Sequence, residues 1–299
     1  MPHIAFLGVG AMGAGMVGRL VQSGQRVVTF DVSAAALAKA KALGCETAAS
    51  ADAAVAGAST VITMLPAGAH VRSVYAESIV PKAEPGAVVI DCSTIDVESA
   101  RAVAAQAAAA GLRPVDAPVS GGTAGAEAGT LTFMVGCEDA LFETVRQQLG
   151  PMARAVVHAG GAGAGQAAKI CNNMVLGVSM LGVCEAFALA EKLGLGPERF
   201  FEIASQSSGQ CWSLTSYCPW PGPVPAAPSN RGYEGGFLAA LMLKDLKLAQ
   251  EAAAKSGAAT PLGAQAEAIY ALFDRLGHGG KDFSAVLEML RGRLESLTP

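Results

Sequence analysis

Residues 3–16 read HIAFLGVGAMGAGM, an apolar run that ends in three glycines spaced G-x-G-x-x-G: Gly8, Gly10 and Gly13. The run suits a buried strand and residues 11–23 suit a helix, so the glycines fall on a strand-to-helix turn. Gly8 makes the tight turn, Gly10 lets the backbone approach a pyrophosphate, and Gly13 lets helix and strand pack closely. From Ala11 and Met12 onward, the helix amino terminus presents N–H groups and a positive partial charge to phosphate oxygens.

In a chain with 36 glycines the pattern alone reads equally as an ordinary turn. Its context separates the two. A second apolar run, RVVTFD (26–31), ends in Asp31, 18 residues after Gly13. That carboxylate is placed to accept hydrogen bonds from the ribose hydroxyls of a dinucleotide. It would repel a 2′-phosphate, and Val32 and Ser33 follow where NADP sites usually offer an arginine. NAD is the expected cofactor.

Further strand-like runs recur at TVITML (60–65), AVVIDCS (87–93), RPVDAPV (113–119), LTFMVG (131–136) and AVVHAG (155–160), with alanine-rich helical segments between the early ones. This alternation predicts a mostly parallel sheet covered on both faces. Ligands of such sheets lie beyond the carboxyl ends of the strands. MLPAGAH (64–70) and DCSTID (91–96) occupy such ends, so Leu65, Pro66, His70 and Thr94 are expected to wall the nicotinamide side. For Leu65 and Pro66 a plain strand end and turn is an equal alternative.

From about Gly161 helical patterns take over: 166–193, 197–206, 236–256, 261–276 and 282–294. The proline-rich CPWPGPVPAAPSN (218–230) cannot be regular helix and reads as a surface loop. The layout is an α/β domain over residues 1–163 followed by an all-helical domain over 164–299.

Hydrophobic residues make up 52% of the chain and charged residues 15%, a balance that leaves apolar surface for an interdomain or subunit interface. The formal net charge is −4 and no basic stripe occurs, so neither nucleic acid nor an anionic membrane is an expected partner. Seven cysteines form no CxxC pair and read as reduced core thiols of a cytosolic protein. The four histidines show no paired metal spacing, and no metal site is expected. MPHIAFLGVG lacks a basic leader and reads as a first strand. The helix from Gln166 is interrupted by Glu185, Glu191 and Lys192 and reads as a buried soluble helix rather than a span.

AKICNNM (168–174) sets Lys169 just ahead of a long apolar run, Met174 to Cys184. An ammonium there is costly unless compensated. Hydride transfer needs positioning, a proton acceptor at the alcohol oxygen and a substrate anchor. Beside an oxidised nicotinamide the charged lysine would be disfavoured, which suits Lys169 to the proton transfer. Asn173, four residues on, shares its helix face. The helix pattern alone favours a solvated or snorkelling lysine over a catalytic one. DAPVSGG (116–122) ends in Ser120, Gly121 and Gly122, whose backbone N–H groups and hydroxyl could cradle a small carboxylate; a flexible glycine turn is the alternative. In MLKDLKLAQ (242–250), Lys244 and Asp245 either reach the cofactor or form a surface pair.

The ordered blocks FLGVGAMGAGM, MLPAGAHV, DCSTID, DAPVSGGTAGAEAGTLTFMVG, GAGQAAKICNNM, SSGQCWS, GGFLAALMLKDLKLAQEAA and KDFSAV run over nearly the whole chain. In them the sequence resembles the β-hydroxyacid dehydrogenases. The resemblance implies a Rossmann-type domain, a helical carboxyl-terminal domain joined through a long helix, and a homodimer or homotetramer. It implies NAD-dependent oxidation of a small hydroxy acid, 3-hydroxyisobutyrate going to methylmalonate semialdehyde in valine breakdown. By motif, it makes Lys169 the catalytic lysine and Asn173 its partner, and gives the substrate carboxylate to Ser120, Gly121 and Gly122. It sets Leu65, Pro66, Thr94 and Lys244 along the NAD site, and Trp212 and Phe237 around the substrate. Val9 and Gly15 are small departures in the glycine turn. Sister substrates include L-serine, tartronate semialdehyde, 4-hydroxybutyrate and 6-phosphogluconate, and related folds include imine reductases and non-catalytic dinucleotide binders. A phosphorylated substrate would want arginines, and residues 205–245 hold only Arg231. L-Serine is the hardest rival to separate.

Overall fold

β1 (His3–Leu7) is buried at every residue, as a central strand covered on both faces must be. The computed structural model describes residues 3–297 and divides into two compact units, Met1–Lys169 and Ile170–Pro299.

In the first unit, β1 pairs in parallel with β2 (Val27–Phe30) and β4 (Ala58–Thr63). β3 (Glu46–Thr47) extends the sheet beyond β2, while β5 (Val88–Asp91) and β6 (Arg113–Asp116) follow β4, all parallel. Alternate side chains feed two separate cores. Phe6, Ile62 and Ile90 pack with Met16, Val17 and Leu20 of the helix Ala11–Gln22. Ala5, Leu7, Val61 and Val89 pack on the other face with Val71, Tyr75 and Ile79. This period of two is the geometry of the pleat.

The expected single strand over 113–119 is two. β6 pairs with β5, but β7 (Val119–Ser120) turns to pair antiparallel with β8 (Leu131–Gly136). Pro118 lies between them and has no N–H to continue the ladder, though its carbonyl accepts from Met134 N at 3.0 Å. β8 also meets β6 antiparallel through Asp116 and Gly136 and runs parallel to β9 (Ala153–Gly160), so this end of the sheet is mixed.

The second unit holds no named strand among the described residues, only an isolated bridge between Leu238 and Asp282. Phe187, Met242, Leu246, Tyr270, Phe273 and Phe283 form its core. Residues 236–238 precede their helix, which runs Ala239–Ser256. The helical pattern over 282–294 breaks into a 3-10 turn (Phe283–Ala285) and a short helix (Val286–Leu290), because the Asp282 carboxylate captures the Ser284 N–H. The pattern over 261–276 is α-helical to Phe273 and then widens to a π turn containing Gly277.

Nor is the proline-rich stretch merely a surface loop. Cys218, Pro219, Ala227, Pro228 and Ser229 are buried, and Ser229 Oγ donates to Cys218 O at 2.8 Å. Trp220 stacks on Phe187 and carries the Arg291 guanidinium 4.0 Å from its ring centre. The helix Ala164–Lys192 is long and apolar enough to cross a membrane, yet Met180, Leu181, Cys184 and Phe187 belong to the buried core of this unit. All seven cysteines are free thiols, five of them buried.

Candidate functional site

The glycine turn has the shape its residues imply. Gly8 has φ +94°, and a Cβ there would lie 2.4 Å from the Met64 carbonyl oxygen. At Gly13 a Cβ would fall 2.2 Å from Gly8 O. At Gly10 it would meet nothing within 4 Å, so the turn is open where a pyrophosphate must approach. Ala11 and Met12 begin the helix behind it. Gly15 has its own reason, since a Cβ would strike Ala126 and Glu127 on the neighbouring helix Gly122–Ala128.

Asp31 is held rigidly at the end of β2. Its Oδ2 accepts from Val9 N at 2.8 Å and its Oδ1 from Ser33 N at 2.8 Å. Each oxygen keeps a further lone pair for a ribose hydroxyl. Val32, the next residue, is 95% exposed. Leu65 lies close enough for its Cδ2 to be 3.0 Å from a Cβ built on Gly8. Pro66 and His70 are exposed on the approach to and within the helix Gly68–Val74.

Beyond β5, Ser93 ties two loops together. Its Oγ accepts from Leu65 N at 2.8 Å and its N–H donates to Asp91 Oδ1 at 3.1 Å. Thr63 Oγ1 donates to the same Asp91 oxygen at 2.7 Å, while Asp91 Oδ2 is buried without a partner. Burial pushes the Asp91 carboxyl up to about 6, against the opposing pull of the Ser93 and Thr63 donors. Thr94 follows, half-buried.

The sequence reading missed Asp116 as a positioning group. Its Oδ1 accepts from Gly163 N at 2.7 Å and its Oδ2 from Gln166 N at 2.9 Å, so it caps the start of the helix Ala164–Lys192. Burial raises this carboxyl, opposed by those backbone donors. The seat is tight: a Cβ on Gly136 would lie 2.3 Å from Asp116 Oδ1, and one on Gly165 2.8 Å from Oδ2. One turn along the helix, Lys169 is 7% exposed. Ser120, Gly121 and Gly122 lead into the helix Gly122–Ala128, with Gly121 at φ +133° and Gly122 at φ +63°. The leading N–H groups of any helix have no intrahelical partner.

In the helical unit, Asn173 is 2% exposed and Asp245 3%. Asn173 Nδ2 donates to Asp245 Oδ2 at 2.5 Å. Lys244 Nζ stands 3.3 Å from Asp245 Oδ1, near enough for ion pairing though without an aligned hydrogen bond. Trp212, half-exposed, stacks on Tyr217 with ring centres 4.8 Å apart, and Phe237 meets Phe283 edge-on at 5.7 Å. Fully buried Asp282 organises these rings, accepting from Tyr217 Oη at 2.7 Å and Phe237 N at 2.8 Å. KDFSAV contained this acid, but nothing in its pattern marked it.

Residues 3–161 match the family model described as the NAD binding domain of 6-phosphogluconate dehydrogenase. Residues 163–290 match that described as NAD-binding of NADP-dependent 3-hydroxyisobutyrate dehydrogenase. A probable 3-hydroxyisobutyrate dehydrogenase of Mycobacterium tuberculosis is 48% identical over 99% of this chain and 100% of its own. The chain belongs to the 3-hydroxyisobutyrate dehydrogenase family. An NAD-dependent L-serine dehydrogenase of Pseudomonas aeruginosa is 47% identical over 97% of this chain and 98% of its own. The solved Mycobacterium tuberculosis 3-hydroxyisobutyrate dehydrogenase with L-serine superposes with a TM-score of 0.94 at 49% identity, covering 97% of this chain and 99% of that one.

A member of this hydroxyacid dehydrogenase family has to bind a dinucleotide, and the open Gly10 position and the anchored Asp31 fit one. The chemistry then needs a group that exchanges a proton with an alcohol oxygen. Lys169 and Asn173 stand one turn apart as buried side chains on one helix, and the group that caps the start of that helix is Asp116, which accepts from Gly163 N and Gln166 N.

Proposed function

We propose that this family member oxidises 3-hydroxyisobutyrate to methylmalonate semialdehyde with NAD, as a step of valine breakdown, with Lys169 as its general acid–base group. The observation that carries the reading is the burial of Lys169 and Asn173, 7% and 2% exposed, one turn apart on the same helix. A lysine that served only as a solvated surface charge would not be sequestered in this way.

The dinucleotide would lie with its pyrophosphate over Gly8, Gly10, Ala11, Met12 and Gly13 and its adenosine ribose on Asp31. Leu65, Pro66, His70, Thr94 and Lys244 would border the rest. Asp31 favours NAD over NADP, since a 2′-phosphate beside its carboxylate is repelled. Bound NAD supplies the hydride acceptor. Lys169 in its neutral form takes the hydroxyl proton as the carbonyl forms, and returns it in the reverse direction. Asn173, fixed by Asp245, orients the amine or the hydroxyl. Ser120, Gly121 and Gly122 hold the substrate carboxylate, and Trp212 and Phe237 shape the pocket around its methyl group.

Against a phosphorylated substrate, Arg231 is already engaged by backbone carbonyls, with Nε 2.9 Å from Glu234 O and Nη1 3.2 Å from Ala226 O. L-Serine is the second reading, supported by the Pseudomonas aeruginosa relative and by the ligand of the solved Mycobacterium tuberculosis enzyme. The deciding measurement is kcat/KM for 3-hydroxyisobutyrate over L-serine with NAD. A ratio well above one supports the first reading, and a ratio below one transfers the function to serine oxidation. No turnover across a panel of 3-hydroxy acids, with NAD still tightly bound, would favour a non-catalytic binder.

The proposal includes a cytoplasmic homodimer or homotetramer that engages neither nucleic acid nor membrane. The seven free thiols and the net charge of −4 support this, as do exposed apolar side chains on the helical unit, Val175, Leu189, Leu262 and Leu272. Light scattering on the purified protein reads the assembly, and a monomer would overturn that part.

A further inference from the structure

Gln166 is wholly buried and its side-chain amide is used at both ends. Nε2 donates to Ser93 O at 2.7 Å, and Oε1 accepts from Ile95 N at 3.1 Å. The amide therefore straddles Thr94, holding the backbone on either side of it. Gln166 N donates to Asp116 Oδ2 in the same turn. Ser93 in turn holds Leu65 N and leans on Asp91. The Gln166 side chain thus joins the start of the lysine helix to the loop after β5, and Ser93 Oγ carries the link on to Leu65 N in the loop after β4.

Helical spacing puts residue 169 on the same face as residue 166, one turn further in. A side chain of four methylenes is sensitive to where its helix begins, and a misplacement of an ångström in a reacting group is costly. We infer that Gln166 is a positioning residue for the reaction: it fixes the Lys169 turn against Thr94. The inference rests on the reading of Lys169 as the proton-handling group. A methionine of similar length would fill the space but leave Ser93 O and Ile95 N without their partners, and buried orphans relax by moving. A glutamate keeps the length and the acceptor for Ile95 N while losing the donor to Ser93 O.

The test compares wild type, Gln166→Met, Gln166→Glu and Lys169→Ala, reading NAD affinity by fluorescence titration and kcat under saturating substrate and NAD. Gln166→Met is expected to lose on the order of 10- to 100-fold in kcat, with NAD affinity within about threefold of wild type, since the glycine turn and Asp31 are untouched. Gln166→Glu, which sets a buried carboxylate oxygen against Ser93 O, is expected to lose at least as much in kcat. The inference is overturned if Gln166→Met keeps wild-type kcat, or if its kcat and NAD affinity fall in proportion, as a general loosening would produce. Should Gln166→Met not fold, Gln166→Glu decides alone: a wild-type kcat overturns the inference, and a reduced kcat with NAD binding intact upholds it. Lys169→Ala separates the two readings. If it still turns over, the role of the lysine fails, whereas an inactive Lys169→Ala beside a fully active Gln166→Met sinks only the positioning role.

Discussion

Asn173 and Asp245, 72 residues apart in sequence, meet through a 2.5 Å hydrogen bond with both side chains almost wholly buried. The amide donates to Oδ2, while Asp245 Oδ1 has no hydrogen-bond partner. Asn173→Ala removes the amide and is expected to cost about 1–3 kcal/mol. Asn173→Asp places two carboxyls at hydrogen-bond distance, which cannot both ionise. Its deficit is expected to exceed that of the alanine variant at pH 8 and to shrink toward pH 5, where the pair can share a proton. Urea unfolding at the two pH values reads this, and a pH-independent gap would contradict it.

Asp31→Ala is expected to weaken NAD far more than NADP, because the carboxylate bonds a 2′-hydroxyl but repels a 2′-phosphate. The substitution also strips Val9 N of its 2.8 Å acceptor, so some loss common to both cofactors is expected. Titration of each cofactor gives the ratio, and equal losses would mean that Asp31 serves only the turn.

Asp91 predicts a pH-dependent stability. Its folded value of about 6 lies above the ordinary carboxyl value of 3.8, so the folded state holds the proton more tightly than the unfolded chain does. The corresponding stability is therefore fully present below the unfolded value and is lost as pH rises through about 6. Above that the loss is on the order of 2–3 kcal/mol. Asp91→Asn removes this titration, and its stability relative to wild type is expected to improve by that order between pH 4 and pH 8. Paired denaturation curves measure it, and a constant difference would exclude a raised Asp91.

Arg291 anchors the end of the helical unit. Its guanidinium, 8% exposed, bonds Glu288 Oε1 and Glu191 Oε1, each at 2.9 Å, and lies over Trp220. Arg291→Met removes the cation beside the Glu288 carboxylate, only 7% exposed and left with the Tyr233 hydroxyl at 3.0 Å, and is expected to cost about 3 kcal/mol. Arg291→Lys should recover part of this, since it keeps the charge but loses the planar fork and the stacking. Thermal unfolding orders the three proteins, and equal stability of Met and Lys variants would show that packing rather than charge matters there.

The dinucleotide half of this molecule was legible because its chemistry is local. Strand, glycine turn, helix and acid occur within one β-α-β stretch, so their spacing is visible in the sequence. Of the steric needs only that of Gly13 against Gly8 O is local, and the Met64 carbonyl that excludes a side chain at Gly8 lies far along the chain. The strand periodicity was legible for the same reason, except at Pro118, where the chain changes partner and only the three-dimensional pairing shows it. What escaped were groups whose meaning lies in distant contacts. Asp116 and Gln166 are 50 residues apart, and Asp282 reaches Tyr217 across 65. A buried carboxylate seated on backbone N–H groups has no periodicity to betray it. The proline-rich stretch misled because proline excludes helix, which says nothing about burial.

The tight seat of Asp116 limits how this scaffold can be re-engineered. On the proposed role of Ser120, Gly121 and Gly122, exchanging residues 117–130, which carry β7 and the helix Gly122–Ala128 between β6 and β8, is the way to alter substrate preference. A graft that ends the strand in any other residue would uncap the long helix and let its first turn drift. The transplantable cassette therefore starts at 117, and Gly136 and Gly165 must remain glycine in every chimera.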